Sequence, residues 1–175
     1  MRILVTGATG FIGNHLILEL IKTDHHIIAM GLEDKKFLSF PWLDNVEYIQ
    51  CDLSKSCDEY YKFFGKPDSL IHLAWQGLPN YDKLYHFEEN LFQSYSFIKS
   101  LVDLGTCNVT VLGTCFEYGM QNGVLHEEMS SCPNTPYSIA KDTLRKFLES
   151  LALVKPFGLK WVRLFYLYGA GETKN

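Results

Sequence analysis

Three glycines near the amino terminus, Gly7, Gly10 and Gly13, lie between a short apolar run at Arg2 to Thr6 and a helical pattern that begins at Phe11. An apolar run that ends in glycine predicts a buried strand, and apolar residues three and four apart predict an amphipathic helix. A glycine turn between the two leaves backbone N–H groups and the positive end of the helix dipole free to meet an anion. The sequence therefore predicts a loop that binds the phosphates of a dinucleotide.

Within this loop, one glycine permits the tight turn, another lets the backbone approach the pyrophosphate, and the last permits close packing of helix on strand. The alternative is a glycine-rich turn without a ligand, but the strand before it and the helix after it favour the phosphate-binding interpretation. The expected cofactor contacts of the loop are Gly7, Thr9, Gly10, Phe11, Ile12 and Gly13.

Strand and helix patterns alternate along the rest of the chain. The predicted strands are Arg2 to Thr6, His26 to Met30, Val46 to Gln50, Ser69 to Leu73, Asn108 to Leu112 and Lys160 to Leu164. The predicted helices are Phe11 to Lys22, Ser54 to about Phe64 with Ser54 as its cap and Asp58 and Glu59 near its start, Leu84 to Leu104, and Pro136 to about Leu153. Such alternation predicts an α/β fold, a doubly wound Rossmann parallel sheet with helices on both faces, in one domain over residues 1–175.

Composition limits the class of protein. The 175 residues are 47% hydrophobic with a net charge of -4, which is typical of a compact globular chain. We expect no nucleic-acid partner because there is no basic stripe, and no membrane partner because no apolar run reaches spanning length. No secretory signal precedes the first strand, and the five cysteines form no CxxC pair, which indicates a reduced cytoplasmic chain. The histidines lack ligand spacing, so no metal is expected.

Tyr137 and Lys141 form a second, independent signal. Side chains four apart lie on one face of a helix, so both can reach the same ligand. A free phenol has a pKa near 10, which is too high for proton transfer near neutrality. A neighbouring ammonium and a cationic nicotinamide both favour the phenolate and lower that pKa. The pair therefore predicts a proton-transfer site, although such a pair alone also occurs by chance.

Together, the motifs TGATGFIG at residues 6–13, the segment Gly113 to Gly119 and the Tyr137–Lys141 pair resemble the extended branch of the short-chain dehydrogenase/reductase superfamily. This branch contains sugar-nucleotide epimerases, dehydratases and reductases, and the resemblance implies an NAD(P) cofactor. It also implies that Thr114 orients the substrate oxygen toward Tyr137, which moves the proton, while Lys141 holds the nicotinamide ribose.

Further cofactor contacts follow from the same resemblance. Asp52 and Leu53 match the pair whose carboxylate contacts the adenine, although Asp52 could equally be a turn residue. Leu73, Ala74 and Trp75 match the segment that lies along the cofactor. Asn90 matches an asparagine that helps to place the active-site loop.

The residue at the end of the second strand commonly determines whether a protein of this fold prefers NAD or NADP. Proteins that bind NAD commonly carry an acidic residue there for the adenosine ribose hydroxyls. Gly31 aligns with that position, and Lys35 and Lys36 could neutralise a 2′-phosphate, whereas Glu33 also lies near the expected distance. Both coenzymes stay open, and the sequence slightly favours NADP.

Departures from the family's motifs narrow the set of reactions that this chain is expected to catalyse. Sugar-nucleotide 4,6-dehydratases carry Asp-Glu directly after the threonine, where this chain has Cys115 and Phe116. Enzymes that epimerise at C3 and C5 use a cysteine at the position of Phe116. This leaves 4-keto reduction or 4-epimerisation of a nucleotide sugar, with reduction favoured. The loop from Trp75 to Tyr81 could contact the sugar or the nucleotide, or simply be packed. Cys115 is interpreted as a packed residue, and a reactive role for it is the alternative.

Family members continue into a C-terminal domain that binds the nucleotide sugar, and that domain is expected to be missing or truncated here. Tyr166 also stands where asparagine is usual. The alternative function is therefore a cofactor-binding remnant with little catalysis, and a third is reduction of alcohols other than sugars. The resemblance also implies a homodimer, because the family commonly dimerises through its two long helices, which here are Leu84 to Leu104 and Pro136 to Leu153.

Overall fold

The computed structural model describes residues 1–55 and 59–172. Six parallel strands form one sheet in the order β3-β2-β1-β4-β5-β6. The strands are β1 Arg2–Thr6, β2 His26–Gly31, β3 Glu47–Gln50, β4 Ser69–His72, β5 Asn108–Thr114 and β6 Gly158–Leu164. The α-helices are α1 Phe11–Leu20, α2 Tyr60–Phe63, α3 Leu91–Leu104 and α4 Pro136–Val154.

The strand order confirms the predicted doubly wound Rossmann fold. The chain runs from β1 outward to β3 and then returns to β4 on the other side of β1. At this switch point the connections leave β1 and β4 in opposite directions, which opens a crevice at the carboxyl ends of the strands. The sites described below lie in and beside that crevice.

Apolar side chains are buried on both faces of the sheet. On one face, Leu4 packs in a cluster with Phe97 of α3 and Leu144 of α4. On the other face, Val5 packs with Ile17 of α1. Neighbouring residues of β1 are therefore both buried, as expected of a central parallel strand covered by helices on each side.

The predicted helix at Ser54 is wrong at its amino end. The backbone N–H and the hydroxyl of Ser54 both donate to the Asp52 carboxylate, at 3.0 and 2.7 Å, so Ser54 belongs to a turn. Serine and aspartate often form such local bonds in competition with a helix. The described helix starts only at Tyr60. The predicted position of Asp58, like Cys57, lies outside the described residues.

The helix predicted from Leu84 to Leu104 is not one regular helix in the structure. A π-helical turn occupies His86–Asn90, and the regular helix α3 begins at Leu91. Turns of this kind are frequent at functional sites. The predicted end at Gly105 is confirmed, because Gly105 follows α3 with a φ of 130°, a conformation that favours glycine.

Helix α4 starts as the sequence predicts. Pro136 occupies its first turn, and the side chains of Thr135 and Ser138 form reciprocal capping bonds. This cap fixes the start of the helix that carries Tyr137 and Lys141. Among the described residues, none of the helices combines the length and hydropathy that a bilayer span requires.

Candidate active site

The glycine loop adopts a backbone that larger residues could not follow. Gly7 has a φ of +68°, and a Cβ atom there would lie 2.9 Å from the backbone nitrogen of Ala74. A Cβ atom on Gly13 would lie 2.2 Å from the Gly7 carbonyl oxygen, because α1 packs directly on the loop. Gly10 caps α1 without any side-chain bond, so N–H groups of the first helical turn face outward. These features fit a pyrophosphate.

A cleft of about 280 Å³ extends from this loop along the carboxyl ends of the strands. It brings together the following residues predicted to bind cofactor: Gly7, Thr9, Gly10, Leu53, Leu73, Ala74, Trp75 and Asn90. Met30, Gly31, Leu32, Glu33, Gln76, Gln93 and Ser94 complete the lining. Asp52 is not among the lining residues in the described part of the chain, and its carboxylate is held by Ser54.

Glu33 lies at the end of this cleft beside β2. The Thr9 hydroxyl donates to its carboxylate over 3.1 Å, and the Tyr48 hydroxyl donates to its backbone carbonyl over 2.7 Å. Lys36, which the sequence offered as a partner for a phosphate, instead pairs with Asp34 at 2.9 Å. The acidic side chain, rather than this lysine, therefore lines the cleft.

A buried histidine joins the strands at the centre of the crevice. His72 is hydrogen-bonded through Nδ1 to the Thr6 hydroxyl at 2.9 Å and through Nε2 to the Ser94 hydroxyl at 3.2 Å. Burial, assisted by the charge of Lys141, lowers the pKa of His72 to about 3, so the ring is neutral. The backbone N–H of Ala74 donates to the same Thr6 hydroxyl at 3.2 Å. This network fixes the segment along the cleft.

A second cavity of about 300 Å³, here called the Tyr137 chamber, adjoins the cleft and shares Leu73 and Trp75 with it. The three residues that the sequence analysis proposed as catalytic, Thr114, Tyr137 and Lys141, all line the Tyr137 chamber. Its other lining residues are Phe11, Ile12, Leu78, Tyr81, Leu112, Gly113, Cys115, Phe116, Leu164, Phe165, Tyr166 and Leu167. Phe11 and Ile12 therefore face the chamber rather than the cleft.

Burial strongly shifts the pKa values of two side chains in the chamber, Tyr137 and Lys141. Burial raises the pKa of Tyr137 to about 12, although an interaction with the Thr114 side chain opposes the rise. Burial lowers the pKa of Lys141 to about 7, opposed by the charge of Glu117. In the protein alone, the phenol is thus protonated near neutral pH, and the lysine changes charge there. The lowered phenol pKa that the sequence predicts is therefore wrong for the protein alone, because burial has the larger effect. Shifts of this kind are typical of functional sites.

Glu117 holds Thr114 in place, and sequence reasoning did not assign it this role. Its carboxylate is fully buried and accepts hydrogen bonds from the Thr114 backbone N–H at 2.8 Å and from the Trp161 indole N–H at 2.9 Å. It also pairs with Arg163 at 2.8 Å. Trp161 and Arg163 lie on β6, more than forty positions away, so no local pattern identifies these two partners. The bond to Thr114 is local, and its signal in the sequence is the capping-box spacing of a threonine and a glutamate three residues apart.

Aromatic side chains form one wall of the Tyr137 chamber. The ring of Tyr81 lies 5.1 Å from that of Phe116 and 5.4 Å from that of Tyr137, between centroids. Tyr166 lies 6.5 Å from Phe116. The predicted sugar-contact loop thus reaches the chamber through Tyr81. Beside this wall, burial raises the pKa of the Cys115 thiol, which fits a packed residue rather than a reactive one.

Asn90 fastens the loop that carries Trp75. Its side-chain amide donates to the Gln76 carbonyl over 2.9 Å, which agrees with the expectation that it places an active-site loop. Within the ranges described, no three His, Cys, Asp or Glu side chains come together as metal ligands.

The parallel sheet, its switch point and the glycine loop define a dinucleotide-binding domain of the Rossmann type. Residues 3–175 match the family described as the NAD dependent epimerase/dehydratase family. The chain belongs to this family, which confirms the resemblance to the extended short-chain dehydrogenases/reductases.

Two relatives from Aggregatibacter actinomycetemcomitans are similar over the whole chain. A dTDP-6-deoxy-L-talose 4-dehydrogenase (NAD(+)) is 32% identical over 177 residues, and the match covers 100% of this chain and 64% of the relative. A GDP-6-deoxy-D-talose 4-dehydrogenase is 29% identical, with 100% and 56% covered. The chain therefore spans between 56% and 64% of the length of these relatives.

Solved structures agree with the fold. MoeE5 in complex with UDP-glucuronic acid and NAD matches with a TM-score of 0.82 and 25% identity, over 99% of this chain and 57% of that one. A UDP-N-acetylglucosamine 4-epimerase from Methanobrevibacter ruminantium M1 matches with a TM-score of 0.85 and 23% identity, over 99% and 57%.

Proposed function

We propose that this chain is the coenzyme-binding part of an NAD-dependent oxidoreductase that acts at the C4 oxygen of a nucleotide-activated sugar. The observation that carries the proposal is the convergence of Thr114, Tyr137 and Lys141 in one chamber that opens onto the cleft of the glycine loop. Proton transfer at a carbonyl or hydroxyl requires a titratable group beside a hydrogen-bond donor that orients the oxygen. The three side chains supply that combination.

The coenzyme proposed is NAD rather than NADP. The family is described as NAD dependent, and the preference for NADP drawn from the sequence is not established. Glu33 lines the cleft with its carboxylate held by Thr9, where it could accept hydrogen bonds from the adenosine ribose hydroxyls. A 2′-phosphate in the same place would meet a like charge, and Lys36 is already paired with Asp34.

The cleft would hold the dinucleotide with its pyrophosphate at the amino end of α1, between Gly7 and Gly10. The bound coenzyme would supply a hydride donor or acceptor. Tyr137 would hold or release the proton at its phenolic oxygen, and Thr114 would orient the substrate oxygen toward it. Lys141 would contact the nicotinamide ribose, and its ammonium would lower the pKa of the phenol.

The reaction proposed is oxidation or reduction at C4 of a sugar without a 6-hydroxyl group. Both relatives from Aggregatibacter are named as 4-dehydrogenases of 6-deoxytaloses. The aromatic rings of Tyr81 and Phe116 line the chamber, and their carbon surface suits a methyl group better than a hydroxymethyl or carboxylate group. Epimerisation at C4 is the second candidate, because a UDP-glucose 4-epimerase from Halalkalibacterium halodurans is also similar, at 24% identity.

Calorimetry and a hydride-transfer assay test the proposal together. The chain should bind NAD more tightly than NADP, and it should oxidise NADH with dTDP- or GDP-linked 4-keto-6-deoxyhexoses. Tyr137→Phe should keep coenzyme affinity within about twofold and lower turnover by at least about a hundredfold, because only the proton-transfer oxygen is removed. Failure to bind either coenzyme would contradict the proposal. Binding with no turnover on any sugar would instead favour the coenzyme-binding remnant.

A homodimer through α3 and α4 is also proposed. Large apolar side chains are exposed on these helices, with Phe92 at 55%, Leu104 at 57% and Phe147 at 39% of their full exposure. A second copy of this chain would cover them. Light scattering should give twice the mass of the chain, whereas a monomer at micromolar concentration would contradict the dimer.

A further inference from the structure

Trp75 lies between the cleft and the Tyr137 chamber and lines both. Its indole ring faces the ammonium of Lys141, with Nζ lying 4.0 Å from the ring centroid. A cation over the face of tryptophan is attracted by the electrons of the ring, and the attraction grows when water is excluded. Trp75 therefore contacts the charge that the proposed reaction needs.

Lys141 has few other groups to stabilise its charge. It is 3% exposed and donates one hydrogen bond, to the Leu112 carbonyl at 2.8 Å. It forms no ion pair within the part of the chain that the structure describes. A buried ammonium without compensation is costly, so the Leu112 carbonyl, the indole face and the charge of Glu117 together keep the charge at this place.

The orientation of Trp75 is itself fixed by a buried histidine. The indole N–H donates to Nδ1 of His86 over 3.0 Å, and the two rings stack with an interplanar angle of 17°. Because the indole nitrogen is only a donor, Nδ1 accepts, and the proton of His86 resides on Nε2. Nε2 then donates to the Asn80 carbonyl over 2.9 Å. His86 is fully buried in the π-helical turn, and burial lowers its pKa, which keeps this neutral form.

We propose that Trp75 is a positioning residue whose indole face, oriented by the bond from its N–H to His86, holds the Lys141 ammonium at the junction of the cleft and the chamber. The part played by Lys141 rests on the proposed function, but the contact between Trp75 and Lys141 does not. Other groups that face Lys141 are Glu117, whose charge favours the ammonium, and the neutral His72.

An NMR titration of the chain labelled with ¹³C at lysine Cε tests the contact without any assay of activity. Lys141→Met assigns the resonance. Trp75→Leu keeps the site apolar but removes the ring face, so the pKa of Lys141 should fall by about one unit. Trp75→Phe should restore part of that fall. His86→Leu should lower the pKa in the same direction, whereas His86→Gln, which retains an acceptor, should lie nearer the wild-type value.

Tyr85→Phe is the matched control. The Tyr85 hydroxyl donates to the Gly77 carbonyl over 2.7 Å and so fastens the same loop without contacting Lys141. Its loss should leave the Lys141 titration unchanged. If Trp75→Leu melts cooperatively like the wild type and yet gives an equal or higher pKa of Lys141, the proposal is overturned.

A double-mutant cycle on coenzyme affinity provides the second readout. Trp75→Leu should weaken NAD binding about fivefold in the wild-type background and by less than about twofold in the Lys141→Met background, because the effect passes through the lysine. Equal losses in both backgrounds would contradict a role through Lys141. If the wild-type chain bound no coenzyme, the proposed function would fail, while the titration would still decide the role of Trp75.

Discussion

The Thr9 hydroxyl donates to the Glu33 carboxylate over 3.1 Å, and this bond joins the glycine loop to the end of β2. The bond places an acidic side chain on the wall of the coenzyme cleft, although Gly31 occupies the aligned position in sequence. The chain thus provides its carboxylate two residues later than the strand alignment indicates. The choice of coenzyme can be tested at this one side chain.

Replacing Glu33 with serine should reverse the preference for NAD. The variant loses the acceptor for the ribose hydroxyls and the charge that would repel a 2′-phosphate, so NAD should bind about tenfold more weakly and NADP more tightly. Calorimetry with both coenzymes measures the change. Glu19→Gln is the control, since Glu19 is an exposed carboxylate that pairs with Lys22 and does not line the cleft. Unchanged discrimination in the serine variant would show that Glu33 does not meet the ribose.

Lys141→Met should stabilise the fold near neutral pH. Burial lowers the pKa of Lys141 to about 7, whereas an unfolded lysine titrates near 10.4. Between these values the unfolded chain binds more protons, so the contribution of Lys141 to stability is most unfavourable below about pH 7 and the penalty fades as the pH rises toward 10.4. Methionine removes that penalty, and we expect a gain of about 2 kcal/mol at pH 7.

Urea unfolding at several pH values checks this expectation. The advantage of Lys141→Met over the wild type should shrink steadily from pH 7 toward pH 10, because the wild-type lysine becomes neutral in both states. Lys22→Met, at an exposed ion pair with Glu19, should show no such trend. A stability advantage that stayed constant with pH would mean that the pKa of Lys141 is not lowered in the folded chain.

Glu117→Gln should destabilise the chain by about 3 kcal/mol. It leaves Arg163, with only 11% of its side chain exposed, without the partner of its charge. Denaturant unfolding at pH 7 measures the loss. Glu149→Gln provides the comparison, because it removes a pair with Arg145 whose carboxylate is half exposed and should cost less than about 1 kcal/mol. Similar losses in the two variants would argue against a buried charge pair at Glu117.

Alkylation should distinguish the cysteines. Burial raises the pKa of the Cys115 thiol, whereas Cys107 and Cys132 are exposed. Because the thiolate is the reactive form, iodoacetamide should modify Cys115 at least about tenfold more slowly than Cys132. Mass spectrometry of peptides taken over time follows each site. Early modification of Cys115 would point to a reactive thiol in the chamber instead of a packed one.

Local sequence signals predicted the elements that carry the site. The glycine loop, the start of the last helix at Pro136 and the Tyr137–Lys141 pair all follow from spacing within a few residues. The helix predicted from Ser54 does not form at its amino end. The reason is again a contact between near neighbours, because the Asp52 carboxylate accepts a hydrogen bond from Ser54 and holds it in a turn. Alternative local hydrogen bonds of this kind compete with a helix on nearly equal terms.

Sequence by itself determined the alternation of strands and helices, the glycine turn and the placement of Tyr137 and Lys141 on one helix face, because periodicity and glycine placement act between near neighbours. Only the tertiary structure decided that Glu117 is buried against Arg163, that Trp75 covers Lys141, and that Glu33 reaches the cleft. Each of these contacts joins elements that are distant along the chain. Packing of the sheet and the exclusion of water fix such contacts, and no spacing in the sequence records them.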